Sequence, residues 1–359
     1  GNGTPTRLFR DRRIQSCVRP MVGYAAQQTS APWTVTTAVR KHQIPVRSAH
    51  SACSGGRLSL VDMTNVTTSP AVRRLNFGFG ALDGQTDTDK YFADGSMVFS
   101  HLIAILSAIF PPGEDIFVRS VRRYSDQLAD PDLRRQVAGF IGQEKTHALH
   151  HRELNEQLAA MGYPTAWFEY LLQFTERMEK FLDKQYPGPD RLPRLRHFFL
   201  GFTVAAEHFT ATWAENILKR PEVQAMMYDP EIRNLLNWHA LEELEHKSVA
   251  FDVYRAVGVP ESTRIRWMRF AQNCGVPLLV LAAWVSIATT DQTGRRQPIR
   301  ILRETVQMLR TPMWSGFYSA MRPFKKTGFH PDQIDTTELV AYWQRELFGT
   351  DGQLADHVR

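Results

Sequence analysis

Cysteine is scarce in this sequence: the 359 residues contain only Cys17, Cys53 and Cys274, and no two of them form a CxxC pair. An odd and dispersed set excludes a disulfide scaffold and a metal site built from thiolates. The sequence also lacks a GxSxG nucleophile elbow and a GxxxxGK[ST] phosphate loop. These absences argue against serine hydrolases and P-loop NTPases, and the few cysteines predict a reduced, cytoplasmic protein.

Long uncharged runs are also rare, and the most apolar of them covers residues 270–290. Its first third contains Gln, Asn, Gly and Pro, so the strongly apolar part is only about a dozen residues, short of a full membrane span. The favoured interpretation is a packed helix. The alternative is contact with a membrane surface or an apolar partner, which would make the protein membrane-associated.

Acidic residues are nearly missing from the first 80 positions, which hold eleven Arg or Lys and two Asp, a net charge of +9. The remaining residues sum to −3, because the whole chain carries +6. Residues 1–70 show no helical or strand period and predict a basic, disordered tail, either a transit segment or sequence upstream of a start near Met63. Since no aromatic and basic module accompanies it, we expect no nucleic-acid partner.

Helical signals dominate from about residue 91 onward. Prolines and glycines divide the region into predicted helices at about 96–110, 114–129, 132–161, 165–185, 192–219 and 230–257. In this division Pro111-Pro112-Gly113 ends the first helix and Glu114 begins the second. The prediction is an all-α, antiparallel helical bundle over 71–260 with extra C-terminal helices over 261–359.

Two histidines have a glutamate three positions earlier: Glu144 precedes His147, and Glu243 precedes His246. Residues i and i+3 share one face of a helix, so each pair can converge on one metal ion. Two other predicted helices offer Glu114 and Glu207, the latter in an apolar stretch where a free carboxylate would be costly. The order Glu, ExxH, Glu, ExxH is the ligand set of di-iron and di-manganese carboxylate bundles.

Alternatives remain for the individual residues. Glu114 could be an acid at a helix start, where it needs no metal. His239 lies four residues before Glu243 and is either a further ligand or an outer residue. His151, Asp252 and His208 are candidates for residues that contact and orient the ligands without binding metal. Glu242 and Glu245 either have the same role or are exposed to solvent.

Four segments resemble the bacterial "predicted metal-dependent hydrolase" family, which is ferritin-like. They are Phe110-Pro-Pro-Gly-Glu114, Phe140-Ile-Gly-Gln-Glu-Lys-Thr-His147-Ala-Leu-His-His151, Ala206-Glu207-His208-Phe-Thr and Trp238-His239-Ala-Leu-Glu-Glu-Leu-Glu-His246-Lys. The similarity runs from about Leu75 to Val257, with a further match at Phe329-His-Pro-Asp.

The ligand spacing is also similar to that of di-iron arylamine N-oxygenases of the para-aminobenzoate type. That resemblance implies a seven-ligand set: Glu114, Glu144, His147, Glu207, His239, Glu243 and His246. His151 departs from the pattern and leaves the exact ligand set open.

The favoured function is oxidation of a small apolar substrate by dioxygen at two first-row metal ions, with iron favoured and manganese the alternative. Such an enzyme needs a small-molecule substrate and an electron donor, and a homodimer is one compatible assembly. The runner-up is hydrolysis of an ester or amide by a metal-activated water. A third class is non-enzymatic iron binding.

Overall fold

Helices form nearly all the regular structure in the computed structural model, which describes residues 69–79, 90–188 and 190–359. Within this described part no strand forms, and the only β contacts are isolated bridges between Leu75 and Val358 and between Ala93 and Met227. The predicted all-α helical bundle is therefore confirmed. All but the last two residues of the predicted basic tail, 1–70, lie outside the described residues.

Four helices enclose the core in a closed ring, in which α1 packs on α2, α2 on α6, α6 on α4 and α4 back on α1. The helix α3, which lies between α2 and α4 in the sequence, packs on the outside of α1 and carries none of the predicted ligands. The helices up to this point are α1 Met97–Arg122, α2 Pro131–Ala160, α3 Thr165–Gln185, α4 Pro193–Lys219, α5 Pro221–Gln224, α6 Pro230–His246 and α7 Val249–Ala256.

The predicted helix break at Pro111-Pro112-Gly113 is wrong, because α1 continues through both prolines to Arg122. A proline at 111 cannot donate to the carbonyl of Ser107, and an unpaired buried carbonyl would be costly. The side chain of Asn155 on α2 donates to that carbonyl instead, at 3.1 Å. Packing against α2 thus supplies the hydrogen bond that the proline removes, and Glu114 lies in the middle of a helix.

The last predicted bundle helix, 230–257, is also divided, since α6 ends at His246 and α7 begins at Val249. Lys247 and Ser248, the two residues between α6 and α7, form hydrogen bonds with the C-terminal segment around residues 332–334. Lys247 Nζ donates to the carbonyl of Ile334 at 2.5 Å, and the Ser248 hydroxyl donates to Asp332. These contacts replace helix continuation directly after His246.

Further helices pack on the ring, as predicted. They are α8 Glu261–Phe270, α9 Val276–Thr290, α10 Gln292–Arg295, α11 Pro298–Leu309, α12 Phe317–Ala320 and α13 Thr337–Phe348. A π-helical turn, Ala271–Gly275, joins α8 and α9 into one long helix. Both α9 and α11 lie against α1, while α13 lies against α6. The proposed domain bounds at 71–260 and 261–359 stay a prediction.

In the part of the chain that the structure describes, two helical stretches are long and apolar enough to cross a membrane by length and composition alone. One is Met97–Gln127, whose apolar window is 78% buried in the core of the bundle. The other is Glu261–Thr290, whose window is only 22% buried. The second stretch contains the apolar run 270–290.

Candidate metal centre

All seven predicted ligands point into the interior of the helical ring, and none of them is more than 5% exposed. Their donor atoms form three groups of three, and within each group the donor atoms lie within 4.8 Å of one another. The groups are Glu114 with His147 and His239, Glu144 with His147 and Glu243, and Glu144 with Glu207 and His246. The structure therefore brings together the whole predicted set, from α1, α2, α4 and α6. That each residue binds metal stays a prediction.

Buried donor atoms without a hydrogen-bond partner mark the centre of this cluster. Both carboxylate oxygens of Glu114, Glu144 and Glu207 lack one, as do His147 Nδ1 and His246 Nε2. His246 Nε2 lies 3.1 Å from Glu144 Oε1 and 3.4 Å from Glu207 Oε2, yet without the alignment of a hydrogen bond. Atoms that converge without bonding one another are what ligands of a shared cation require, so the residues present fit a metal.

The electrostatics of the cluster also favour a cation. Burial and the neighbouring carboxylates raise the pKa of Glu114 and Glu144 well above 4.5, and burial with repulsion from Glu243 raises that of Glu207 to about 7. Burial alone would lower the pKa of His246, but the proximity of the carboxylates of Glu144, Glu207 and Glu243 raises it well above 6.5. Positive charge is thus stabilised at the position where these side chains meet.

In each ExxH histidine, one ring nitrogen forms a hydrogen bond with a residue on the side away from the centre of the cluster. Gln143 Oε1 accepts from His246 Nδ1 at 2.9 Å, because the amide nitrogen of Gln143 donates to Glu245 at 2.9 Å. This arrangement leaves the Nε2 lone pair of neutral His246 free for the centre of the cluster. In His147 the roles are exchanged: Nε2 donates to Glu242 at 3.1 Å and Nδ1 remains for a metal.

Arg73 holds the hydrogen-bond partners of both histidines: it contacts Glu242 directly, and it contacts Glu245, which accepts from Gln143. Its guanidinium donates to Glu242 at 2.8 Å and to both oxygens of Glu245 at 2.7 and 2.6 Å. Trp238 also donates to Glu242 at 2.8 Å, so this carboxylate is fully buried yet hydrogen-bonded. Glu242 and Glu245, for which solvent exposure was one alternative, therefore lie behind the two ExxH histidines.

A close backbone crossing delivers Arg73 to this position. The segment that carries it passes over α2 at two glycines, and a Cβ on Gly139 would come within 2.5 Å of the Pro70 carbonyl oxygen. A Cβ on Gly142 would collide with the side chain of Val72. Only residues without a side chain allow this approach. Arg73 lies in an irregular segment, so no helical period in the sequence indicates it.

Replacing Arg73 by alanine is expected to lower metal affinity about 10- to 100-fold, the usual effect of removing a group that orients ligands. Without the guanidinium, burial raises the pKa of Glu242 further, and a protonated Glu242 holds His147 less firmly. Competition with a chelator would measure the change. Arg74→Ala, at the exposed neighbouring position, is the control, and equal affinities in the two variants would contradict the assignment.

His239 lies next to the carboxylates of the cluster, whereas His151 lies one residue further from them. His239 Nε2 faces the cluster, 3.1 Å from Glu243 Oε1 and 3.6 Å from Glu114 Oε1. Its Nδ1 lies 2.8 Å from His151 Nε2, and His151 Nδ1 in turn lies 3.0 Å from the Ser107 hydroxyl. His151 therefore stands behind His239, at the end of a chain of hydrogen bonds.

His239→Ala is accordingly expected to lower metal occupancy more than His151→Ala, because it removes a donor and not the group that orients it. Elemental analysis of both variants after reconstitution would compare them. An emptier His151 variant would show that the seventh ligand has been assigned to the wrong residue. Full occupancy in both would remove His239 from the ligand set.

The other two outer candidates lie away from the cluster and contact the Phe329-His-Pro-Asp motif. Asp252 pairs with His330 Nε2 at 2.8 Å, not with a histidine of the cluster. The ring of His208 packs on Phe329, with centroids 5.4 Å apart, and burial lowers its pKa to about 3. The motif thus fastens the C-terminal segment to α4 and α7.

A ring of helices around a buried carboxylate and histidine cluster defines a bundle protein equipped to hold metal. The family model described as "Predicted metal-dependent hydrolase" matches residues 71–335, well over half of the chain, and the protein belongs to that family. Neither the curated proteins nor the solved structures include a significant match. This membership confirms the resemblance to the family that the sequence showed, and the family's description indicates a metal-dependent enzyme.

Proposed function

We propose that the protein is a di-iron enzyme that uses dioxygen to oxidise a small apolar substrate. The observation that carries the proposal is the donor set, in which four carboxylates and three imidazoles meet in the core without a thiolate. Seven donors exceed what one ion needs, and four carboxylates balance the charge of two divalent ions. Oxygen and imidazole ligands suit first-row metals such as iron and manganese.

The overlapping groups suggest how the chain would hold two ions. Glu207 and His246 belong to one group, while Glu114 and His239 belong to another. Glu144, His147 and Glu243 form the group that overlaps both. Bound as Fe(II), the ions would supply electrons for the reduction of dioxygen, and repeated turnover would need an external electron donor.

Aromatic side chains close the cluster against water. Phe140 packs on His246 with ring centroids 5.0 Å apart, and Trp238 packs on His147 at 4.9 Å. Phe110 covers both His239 and His151, at 4.7 and 4.8 Å. These rings hold the histidines in orientation and provide apolar surroundings, which support an apolar substrate over a charged one.

Anaerobic loading with Fe(II), followed by mixing with oxygenated buffer in a stopped-flow spectrophotometer, tests the proposal. We expect a transient visible absorption band that depends on both iron and oxygen. The Glu243→Ala variant, loaded in the same way, should not show it. No oxygen-dependent change in a protein that holds two iron ions would contradict oxidation.

Hydrolysis is the second candidate, and membership of the family favours it. Paired metal ions would lower the pKa of a water molecule and polarise an ester or amide carbonyl. Turnover of nitrophenyl esters of increasing chain length by the Mn(II)- or Zn(II)-loaded protein, without oxygen, would support this reaction instead. Glu243→Ala again serves as the metal-site control.

A further inference from the structure

The outer side of α9 and α11 forms a continuous apolar surface, here called the α9–α11 face. On α11 the exposed fraction reaches 83% at Ile299 and 57% at Leu302, and on α9 it is 55% at Leu281. The indole of Trp284 on α9 donates to the Thr305 hydroxyl on α11 at 2.9 Å, which joins the two helices. An apolar groove of about 480 Å³ opens here, lined by Val280, Leu281, Trp284, Leu309, Trp314 and Tyr318.

The exposed charged side chains between residues 266 and 310, the range that contains α9 and α11, all have one sign, although the exposed Asp94 from the segment before α1 lies near Arg303. Between residues 266 and 310 the sequence contains two acids, Asp291 and Glu304, and both are buried and paired with Lys90 and Arg300. The exposed charged side chains in this range are Arg266, Arg269, Arg295, Arg296, Arg303 and Arg310. An apolar face with tryptophan and a rim of arginine complements the surface of an anionic bilayer.

The attachment of α9 to the bundle argues against a helix that crosses a membrane. His101 on α1 and Ser286 on α9 form a buried hydrogen bond of 2.7 Å, and α9 lies along α1. A spanning helix would carry the polar exterior of the bundle into the hydrocarbon, where it could not be satisfied. The face can instead enter the interfacial layer while the bundle remains in water.

A line of mostly apolar side chains, here called the route, runs from the groove toward the metal centre. Trp314 lines the groove, and its ring lies 5.0 Å from that of Trp213, which lines an inner cavity of about 60 Å³. The lining of the inner cavity is mostly apolar and includes Ile103, Leu106, Phe110, Trp213, Ile217 and Met313, with Gln224 and Asn237 as its polar members. At its far side Phe110 packs directly on His239.

At about 60 Å³ the inner cavity has room for only a few water molecules, so it is too small for an aliphatic chain as it stands. Met313 lies in its wall and directly precedes Trp314 of the groove. Methionine is the most adaptable apolar side chain, so movement here can join the two spaces.

We propose that the protein docks on anionic membranes through the α9–α11 face and takes a long aliphatic chain from the bilayer toward the metal centre. The docking step is independent of the reaction. The role of the chain as substrate rests on the proposed function. A lipid chain is the one occupant that matches the apolar groove, the basic rim and the route.

Flotation of the full chain with vesicles tests the docking step. We expect binding to vesicles of phosphatidylcholine with phosphatidylglycerol and little binding to phosphatidylcholine alone. Ile299→Asp with Leu302→Asp, and separately Arg295→Glu with Arg296→Glu, should each weaken binding at least about tenfold, since each basic residue adds about 1 kcal/mol. Leu149→Asp and Arg134→Glu, at exposed positions on α2, should bind like the unaltered protein.

Two results would overturn docking: unchanged binding by the α9–α11 variants, or absence of binding to anionic vesicles. A stable dimer in solution that Ile299→Asp dissociates, without vesicle binding, would assign the face to a second copy of this chain.

Binding of cis-parinaric acid, a fluorescent long-chain fatty acid, tests the route in metal-free and metal-loaded protein. Val280→Trp fills the groove and should weaken binding about tenfold, the equivalent of two methylenes left unburied. Val285→Trp places the same side chain on α9 outside the groove lining and is the control.

The outcomes separate this inference from the proposed function. Fatty acid that binds a protein with no metal after reconstitution supports the route and contradicts the metal enzyme. Metal in full amount without fatty-acid binding, or equal binding by both tryptophan variants, overturns the route.

Discussion

The Glu144→Ala variant is expected to remain folded and to hold less than one metal ion per chain, against about two in the unaltered protein. Glu144 belongs to two of the three donor groups, and neither of its oxygens has a hydrogen-bond partner. Its burial raises the cost of the charged form, which only a cation offsets. Removing it therefore takes a ligand from both ions without breaking a hydrogen bond that the fold needs.

Elemental analysis after saturating reconstitution measures this prediction, with circular dichroism to confirm folding. Glu156→Ala is the matched control, since Glu156 is an exposed acid on the same helix. Glu153→Ala provides a second control outside the cluster. One ion or fewer in the unaltered protein would contradict the dinuclear site, and two ions in Glu144→Ala would remove this residue from it.

The thermal stability of the protein is expected to change with pH in opposite directions with and without metal. Among the residues that the structure describes, four buried carboxyl groups and one buried histidine have a raised pKa without metal: Glu114, Glu144, Glu207, Glu242 and His246. From about pH 7.5 to 8.5 the unfolded chain has lost nearly all of these protons, while the folded chain still holds some of them. The free energy of unfolding therefore falls as pH rises, by roughly 1.4 kcal/mol per pH unit for each group that titrates.

Histidines with a lowered pKa do not reverse this trend above about pH 7.5. Burial keeps His147 and His151 neutral in the fold, and in this range they are also neutral in the unfolded chain. With metal bound, the ligands must be deprotonated, so affinity and Tm rise with pH. Scanning fluorimetry with EDTA or Mn(II) at both pH values measures the two slopes, and parallel slopes would contradict binding at the cluster.

Several local features of the fold were predictable because each depends on neighbouring residues. Asp130 and Asp229 cap α2 and α6 by accepting from backbone amides, and a proline follows each of them. The two ExxH pairs share a helical face by spacing alone, and Glu207 is marked by its apolar surroundings. For these reasons the seven candidate ligands could be named before their distances were known.

The helix through Pro111 shows where local rules were insufficient. A proline pair followed by glycine ordinarily ends a helix, and nothing near it in the sequence indicates otherwise. The replacement donor is Asn155, 48 positions from the carbonyl of Ser107 that it satisfies. The same long-range contact places Glu114 in the middle of α1 and removes the alternative that it is only an acid at a helix start.

By itself the sequence determined the helical class, the order of the ligand-bearing segments and the candidate donors, because helical periodicity and capping act within a few residues. Only the tertiary structure decided that His151 stands behind His239, that Arg73 orients both ExxH histidines, and that Asp252 pairs with His330. These contacts join residues 78 to 172 positions apart. They depend on how whole helices and irregular segments pack, and no local pattern records that packing.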